Sequence, residues 1–506
     1  MKKRIISTAL AMLLACSCVF GMTACRKKKN KNAEENTLTI RYYNGGYGDE
    51  WLEESLKDFC ATKEGVTYKL IPDTEITYTA NLYLKNNVPD IIMSNGNWKP
   101  HVKDGLIEDL TSVYETEVQT SQGTKKVKDY IDANVMKQFT RQKIFGRGDS
   151  VTWAMPWASQ ILSLAYNETI LLSTTHKEGN PFVVEGLSAG ATWTHEPYTV
   201  NELMAYLYDV RMANNGIIPW GFAVDYLNWY DALFYVWWAQ IQGTTTPNKY
   251  VNEGCFYDFF NMSSADLVKQ SGYRDALDIV RKIIVDENGE LYNSNNDGAM
   301  TKEKMQENFA KGNIAVCLVG DFFEKEYKAF MKPGNVFKLM FIPFADGAEK
   351  NADGTTKKLT FVQTDNVMYV PTNATNKALA KEFLAFLCNE SQLMQFTKYT
   401  GVVRPFNYNA YELDPNYAWT DFQKSTFNIY YNADDFVIKY PLTATKVSPI
   451  YLYEEVSLFM SIGHSTVFSE FRTTPVNQAA DRIVNRVHTG LKKSFAEWVD
   501  YYGLEA

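Results

Sequence analysis

The chain has 506 residues, of which 45% are hydrophobic and 22% charged, and its formal net charge is −8. That length allows two or more domains with a sizeable core. The acidic balance argues against a nucleic-acid binder, which normally carries a basic face.

The chain opens on Lys2-Lys3-Arg4, followed by an apolar stretch over 9–20 and then Gly21-Met22-Thr23-Ala24-Cys25. A basic start, a short apolar run and small residues before a cut mark a secretory signal, and the run is too short to span a membrane. A Cys directly after Thr-Ala resembles a bacterial lipobox, which implies cleavage after Ala24 and a diacylglycerol thioether on Cys25. The basic run 26–31 then reads as a solvated tether beside anionic lipid. Loss of the leader's three cations takes the net charge to −11. Cys60, Cys255, Cys317 and Cys388 are far apart with no CxxC pair, so they suit core positions better than a zinc or redox site.

Beyond the tether the pattern alternates. A strand is expected over 38–43, a helix over 50–62 with apolar Trp51, Leu52, Leu56 and Phe59, a strand over 66–71, a helix over 77–86 and a strand over 90–93. Strand–helix–strand repetition argues for a parallel sheet with right-handed crossovers, whose ligands bind beyond the carboxyl ends of the strands. Those ends carry Tyr43-Asn44-Gly45 and Ser94-Asn95-Gly96-Asn97-Trp98. A second alternating stretch begins near Ile161. It contains the capping box Thr199-x-x-Glu202, a strand over 220–224, an aromatic helix over 229–240 and an amphipathic helix over 273–285. Strands follow over 314–318 and 338–342, with a turn at Asp353-Gly354. Helices are expected over 378–387 and 392–399, the latter ending at Gly401, and helical stretches over 447–461 and 476–502 close the chain.

Several motifs have bland explanations. Gly186-x-Ser188-x-Gly190 matches a nucleophile elbow, but Pro197 follows closely and denies an immediate helix, so a surface loop is expected. Gly46-x-Gly48-x-x-Trp51 fails as a dinucleotide fingerprint, because the third position must be small, and reads instead as a turn beside a ligand cleft. Asn293-x-Asn295-x-Asp297-Gly298 begins like a calcium loop, yet Lys304 stands where a bidentate Glu is needed. The five histidines show no metal-ligand spacing. No cofactor or metal is expected.

Six segments in order resemble the extracellular solute-binding proteins of bacterial ABC importers, in the carbohydrate-binding group that includes maltose-binding protein. They are Pro89-Asp90-Ile91-Ile92 with Asp104-Gly105-Leu106-Ile107-Glu108-Asp109-Leu110; Met155-Pro156-Trp157 with Leu162-Ser163-Leu164-Ala165-Tyr166-Asn167; Pro197-Tyr198-Thr199-Val200-Asn201-Glu202-Leu203, where Val200 replaces the family's Trp; Phe309-Ala310-Lys311-Gly312-Asn313-Ile314-Ala315-Val316 with Gly320, where Val316 replaces Met; 376–384; and Thr400-Gly401 with Pro405. The resemblance implies a two-lobe α/β fold of the periplasmic-binding type II class. Each lobe is a mainly parallel sheet flanked by helices, with extra C-terminal helices. It implies a signal peptide over 1–24, a tether over 25–35, an N-terminal lobe of 36–158 plus 365–410, and a C-terminal lobe of 159–364 plus 411–506. The chain would cross between lobes near 157–160, near 362–366 and after Arg404.

A monomeric, membrane-anchored receptor is expected, which captures an oligosaccharide outside the cytoplasm and hands it to a permease without catalysis. Sugars present apolar C–H faces to aromatic planes, and their hydroxyls need polar partners. In the family scheme Tyr43, Trp98, Trp157, Trp220, Trp229, Tyr230, Phe322 and Trp419 supply the planes. Asn44, Asn97, Gln160, Asp225, Asn228, Asp321, Asp365 and Arg404 supply the polar partners. The alternatives are a receptor for a peptide or polyamine and a secreted glycoside hydrolase.

Overall fold

The computed structural model describes residues 36–43, 45–73, 88–95, 98, 101–102, 104–141, 151–223, 225–261, 270–285, 300–363, 366–438 and 464–502. The leader, Cys25, the helix expected over 77–86, the one over 447–461 and the calcium-like loop over 293–298 lie outside the described residues.

β1 (Thr37–Tyr42) buries every second side chain, so Leu38, Ile40 and Tyr42 enter the core. It is followed by α1 (Glu50–Ala61), which buries Trp51, Leu52, Leu56 and Phe59 on one face. β2 (Thr67–Pro72) and β3 (Ile91–Ser94) both pair parallel with β1. This first sheet is completed by β4 (Met155–Pro156) and, from far down the chain, β10 (Val367–Tyr369), in the order β2-β1-β3-β10-β4. β10 runs antiparallel to both neighbours.

The second sheet has the order β6-β7-β5-β8. Its members are β5 (Leu162–Asn167), β6 (Ile218–Gly221), β7 (Ile314–Gly320) and β8 (Phe337–Met340). β6 and β7 run parallel, whereas β5 is antiparallel to β7 and β8. The sheet is therefore mixed. β5 and β7 are buried along their whole length, in accord with the uninterrupted apolar sequence of β7 and the mostly apolar one of β5, whose Ser163 hydroxyl donates to Met340 O. β9 (Leu359–Val362) pairs parallel with β11 (Asp435–Ile438) in a separate two-stranded ribbon.

Helices cover both sheets. α2 (Val200–Ala213) starts at the expected capping box, with Thr199 and Glu202 bonded reciprocally. The aromatic helix begins as a 3-10 turn over Leu227–Tyr230 and continues as α3 (Asp231–Gln242), which is buried all round and includes Trp237 and Trp238. α4 (Ser271–Ile284), α5 (Lys302–Ala310) and α6 (Phe323–Tyr327) follow on the second unit. α7 (Lys377–Phe386) and α8 (Glu390–Thr400) pack on the first, and α8 ends at Gly401 with φ 78°, a left-handed cap that suits glycine. α9 (Asp421–Tyr431) has a second capping box, Thr420 with Gln423, and lies against β8. α10 (His464–Thr473) and α11 (Val476–Tyr502) close the chain, with Arg274 of α4 paired to Asp481 of α11 at 2.6 Å.

The connections between the sheets run side by side. Trp157 N donates to Asn366 O at 3.0 Å, Gln363 N donates to Gln160 O at 3.1 Å, and Ile161 bridges Val362. A later segment stays with the first unit, where Asn407 N donates to Tyr130 O, before α9 joins the second. Cys255, Cys317 and Cys388 are buried thiols.

Candidate functional site

The two units meet where the carboxyl ends of their strands face each other. On the first, β1 is followed by a turn over 45–49; on the second, β7 runs into Asp321 and Phe322. Gly46 has φ 90°, and a Cβ there would lie 2.9 Å from Phe322 and 3.5 Å from the Glu326 carboxyl carbon. Glycine thus allows the two backbones to close on each other. Tyr47 crosses the seam: its ring meets Phe322 at 5.2 Å and Trp157 at 5.1 Å, and its hydroxyl donates to Asp321 at 3.1 Å. Lys325 reaches Glu50 at 3.3 Å at the rim.

Asp321 is almost wholly buried and also accepts from Ile161 N at 3.0 Å. Burial pushes its carboxyl up to about 7, against the lowering effect of these hydrogen bonds. Its oxygens serve the connection between the units, so the expectation that Asp321 offers a free hydroxyl partner is corrected.

Beyond Phe322 the second unit presents a partly exposed aromatic wall. Trp229 lies edge-on to Phe322 at 6.1 Å and to Tyr226 at 4.8 Å. The Lys302 ammonium sits 4.8 Å from the Tyr226 ring and 5.4 Å from the Trp229 ring. Asp225 accepts from Lys302 N at 2.9 Å and so fixes the start of α5 to the wall. Asp225 and Asn228 are exposed. Glu326, 3.9 Å from Lys302, has its carboxyl raised by burial against the pull of that cation. From the first unit Tyr43 approaches the same place: burial and then Glu326 raise its hydroxyl, with Asn95 as a hydrogen-bonding neighbour. The seam thus brings Tyr43, Asp225, Asn228 and Trp229 of the expected set to one region, whereas Phe322 beside them is buried against Tyr47.

Other expected contacts fall elsewhere. Trp220 has no exposed surface and is a core residue, because its strand is covered on both faces. Tyr230 is buried beside it, with its hydroxyl on Gly221 O. Arg404 is fully buried; its guanidinium donates to Leu387 O at 2.5 Å and Pro156 O at 3.2 Å, a clamp between a helix and a strand. Trp419 is buried against Tyr417 and Phe427, with its indole N–H on Asp414 O. Trp98 is buried and stacks on Phe139 at 6.2 Å. Trp157 lies stacked on Trp51 and donates to Ser94 O at 3.1 Å, which makes it part of the first connection. Gln160 adopts φ 41° and accepts from the Asn366 amide, holding the two connections together. Asn44, Asn97 and Asp365 lie outside the described residues.

The residues that sequence reading missed are Tyr226, Lys302 and Glu326. Tyr226 adjoins residues already singled out. Lys302 and Glu326 gave no local signal, since only the fold brings them to the wall. Two cavities, of about 670 Å³ and 890 Å³, lie on other surfaces, one beside Asp132, Glu390 and Tyr430 and the other beside Lys249, Asp275 and Asp346. The Gly186–Gly190 loop is exposed, as expected of a surface loop. Among the described residues no group of His, Cys, Asp and Glu could hold a metal ion, and no helix is long and apolar enough to cross a membrane.

Two mixed sheets joined side by side, with strand ends facing across a seam, define the two-lobe class of solute receptors. The chain belongs to the bacterial extracellular solute-binding proteins, whose family model matches residues 54–424. Solved structures of low sequence identity share the fold. One, from work on xylan utilisation by Caldanaerobius polysaccharolyticus, has a TM-score of 0.59 at 14% identity, over 89% of this chain and 99% of that one. The solute receptor AcbH, described as having an exclusive preference for β-D-galactopyranose, gives 0.58 at 13%, over 91% and 99%. The binding protein RafE in complex with raffinose gives 0.57 at 14%, over 90% and 99%; its apo form is from Streptococcus pneumoniae. No curated protein sequence matches the chain significantly.

Proposed function

We propose that this chain is a carbohydrate receptor that closes two lobes over its ligand and delivers it to the permease of an ABC importer, with no catalytic step of its own. The observation that carries this reading is the seam itself. Partly exposed rings from both sides, Tyr43 against Tyr226 and Trp229, lie there beside the buried Tyr47–Phe322 contact, with amide, carboxylate and ammonium groups around them. Stacking planes beside mixed donors and acceptors are what a sugar requires. Raffinose, galactopyranose, stachyose and a blood-group trisaccharide as ligands of fold neighbours support the same class.

The lobes in this reading are 36–158 plus 365–410 and 159–364 plus 411–506, moving about the connections that Gln160, Asn366 and Asp321 hold. Asn44, Asn97 and Asp365 would extend the polar lining. Closure couples capture to permease docking, because a ligand that favours the closed form shifts the population toward it. The leader and Cys25 would place the mature chain on the outer face of the cell membrane through two acyl chains, which suffice for stable anchoring. Cys25→Ala should then move the protein from the membrane fraction to the medium, and unchanged fractionation would rule the anchor out. The receptor reading is tested by titration calorimetry and small-angle scattering on one sample. Saturable binding of an oligosaccharide that leaves the scattering profile unchanged would count against closure.

A further inference from the structure

The wall carries an ion pair with an unusual setting. The Lys302 side chain is only 10% exposed, yet its ammonium has no hydrogen bond among the described residues. Its nearest carboxylate oxygens, on Glu303 and Glu326, stand at 3.9 Å, beyond hydrogen-bond reach. Glu303 is 65% exposed and screened by water, whereas Glu326 is about two-thirds enclosed where the lobes meet. The enclosed Lys302 ammonium thus faces one partly enclosed anion, Glu326, and neither group has a side-chain hydrogen bond among the described residues.

We infer that Lys302 and Glu326 act as a donor–acceptor pair that selects an uncharged, hydroxyl-rich ligand and rejects both uronic acids and amines. This rests on the carbohydrate-receptor reading and narrows it. A sugar's vicinal hydroxyls can accept from the ammonium and donate to the carboxylate without adding charge. A uronate would bring a second anion beside Glu326 in a site that closure dries, where like charges repel strongly. An amine meets a different obstacle. The aromatic cage that would stabilise a ligand cation, Tyr226 with Trp229, already holds the protein's own ammonium at 4.8 Å and 5.4 Å. Specificity would come from these repulsive elements as much as from attraction.

The test is titration calorimetry of the full mature chain against three sets: neutral oligosaccharides (raffinose, maltotriose, xylotriose and a wider neutral library), uronic-acid oligosaccharides (trigalacturonate, glucuronosyl-xylotriose), and amines (spermidine, the glucosamine trimer). At least one neutral sugar should bind at least ten-fold more tightly than any member of the other sets. In Glu326→Gln, which keeps shape and removes the anion, the penalty against uronates should shrink at least three-fold relative to the best neutral sugar. Lys302→Met, which keeps the apolar stem, should weaken neutral binding at least ten-fold and relax the penalty against amines. A wild-type preference for a uronate or an amine overturns the inference, as does a Glu326→Gln variant with unaltered selectivity. Neutral and charged sugars bound alike would leave the receptor standing and remove only the selectivity. No binding of any glycan would overturn the receptor reading itself, and this inference with it. Because Glu326→Gln is isosteric, the selectivity measurement stands even if Lys302→Met fails to fold.

Discussion

Replacing Asp321 by Asn should change how stability depends on pH. In the wild type the carboxyl is enclosed between Tyr47, Phe322 and the first connection, and burial lifts its pKa from the ordinary 3.8 to about 7. The folded chain therefore keeps this proton at a pH where the unfolded chain has released it. A raised folded pKa gives stability that is fully present below the unfolded value and is lost as pH climbs to the folded one. Each pH unit inside that window is worth about 1.4 kcal/mol. Between pH 5 and 8 the wild type should thus lose on the order of 3 kcal/mol from this one group. Asparagine cannot titrate and keeps a carbonyl for one of the two donors. The assay is urea unfolding of both chains at half-unit steps over that range. All other titrations are common to the two chains and cancel in the difference, so wild-type minus variant stability should fall as pH rises from 5 to about 7 and level off above it. A flat difference would refute the reasoning, since it would mean that Asp321 is ionised throughout and reached by water.

Further expectations concern the wall, the seam and the clamp. Trp229→Ala should cost roughly 1.5–4 kcal/mol of sugar binding, from lost apolar burial and unpaired neighbours, with a smaller loss of stability; unchanged affinity beside a much lower melting temperature would make Trp229 a core residue. Gly46→Val puts a branched side chain at φ 90° and 2.9 Å from Phe322, so it should hold the lobes apart, weaken binding at least ten-fold by on the order of 1–3 kcal/mol of strain, and raise the radius of gyration of the sugar-saturated protein. Arg404→Ala removes a buried cation and leaves Leu387 O and Pro156 O without partners, for a loss on the order of 3–5 kcal/mol in denaturant unfolding with little direct effect on ligand selectivity. A loss under 1 kcal/mol would show that water replaces the guanidinium.

The fold was legible because its signals are local. Alternate burial in β1, the uninterrupted apolar run of β7, the Thr199 box and the Gly401 cap each act within a few residues. The antiparallel entry of β5 and β10 was not legible, because strand direction depends on where a long connection returns. The site divides along the same line. Tyr43, Phe322 and Trp229 stand at strand ends or on the helix that follows, which periodicity locates. Trp220 and Tyr230 share that neighbourhood and differ only in which way the side chain points. The family scheme makes Arg404 a sugar partner, whereas here it is buried and its two terminal nitrogens donate to backbone carbonyls. Lys302 reaches the wall through tertiary contacts, among them the Asp225 carboxylate that accepts from its backbone N–H.

The central claim is that the seam between Tyr43 and Trp229 is a sugar site that closes. Titration calorimetry of the mature chain against a library of neutral oligosaccharides tests it most directly, with Trp229→Ala run beside the wild type. The account predicts saturable binding at one site per chain, weakened at least ten-fold in the variant. Absence of binding by every sugar, or full affinity in Trp229→Ala with its fold intact, would contradict it.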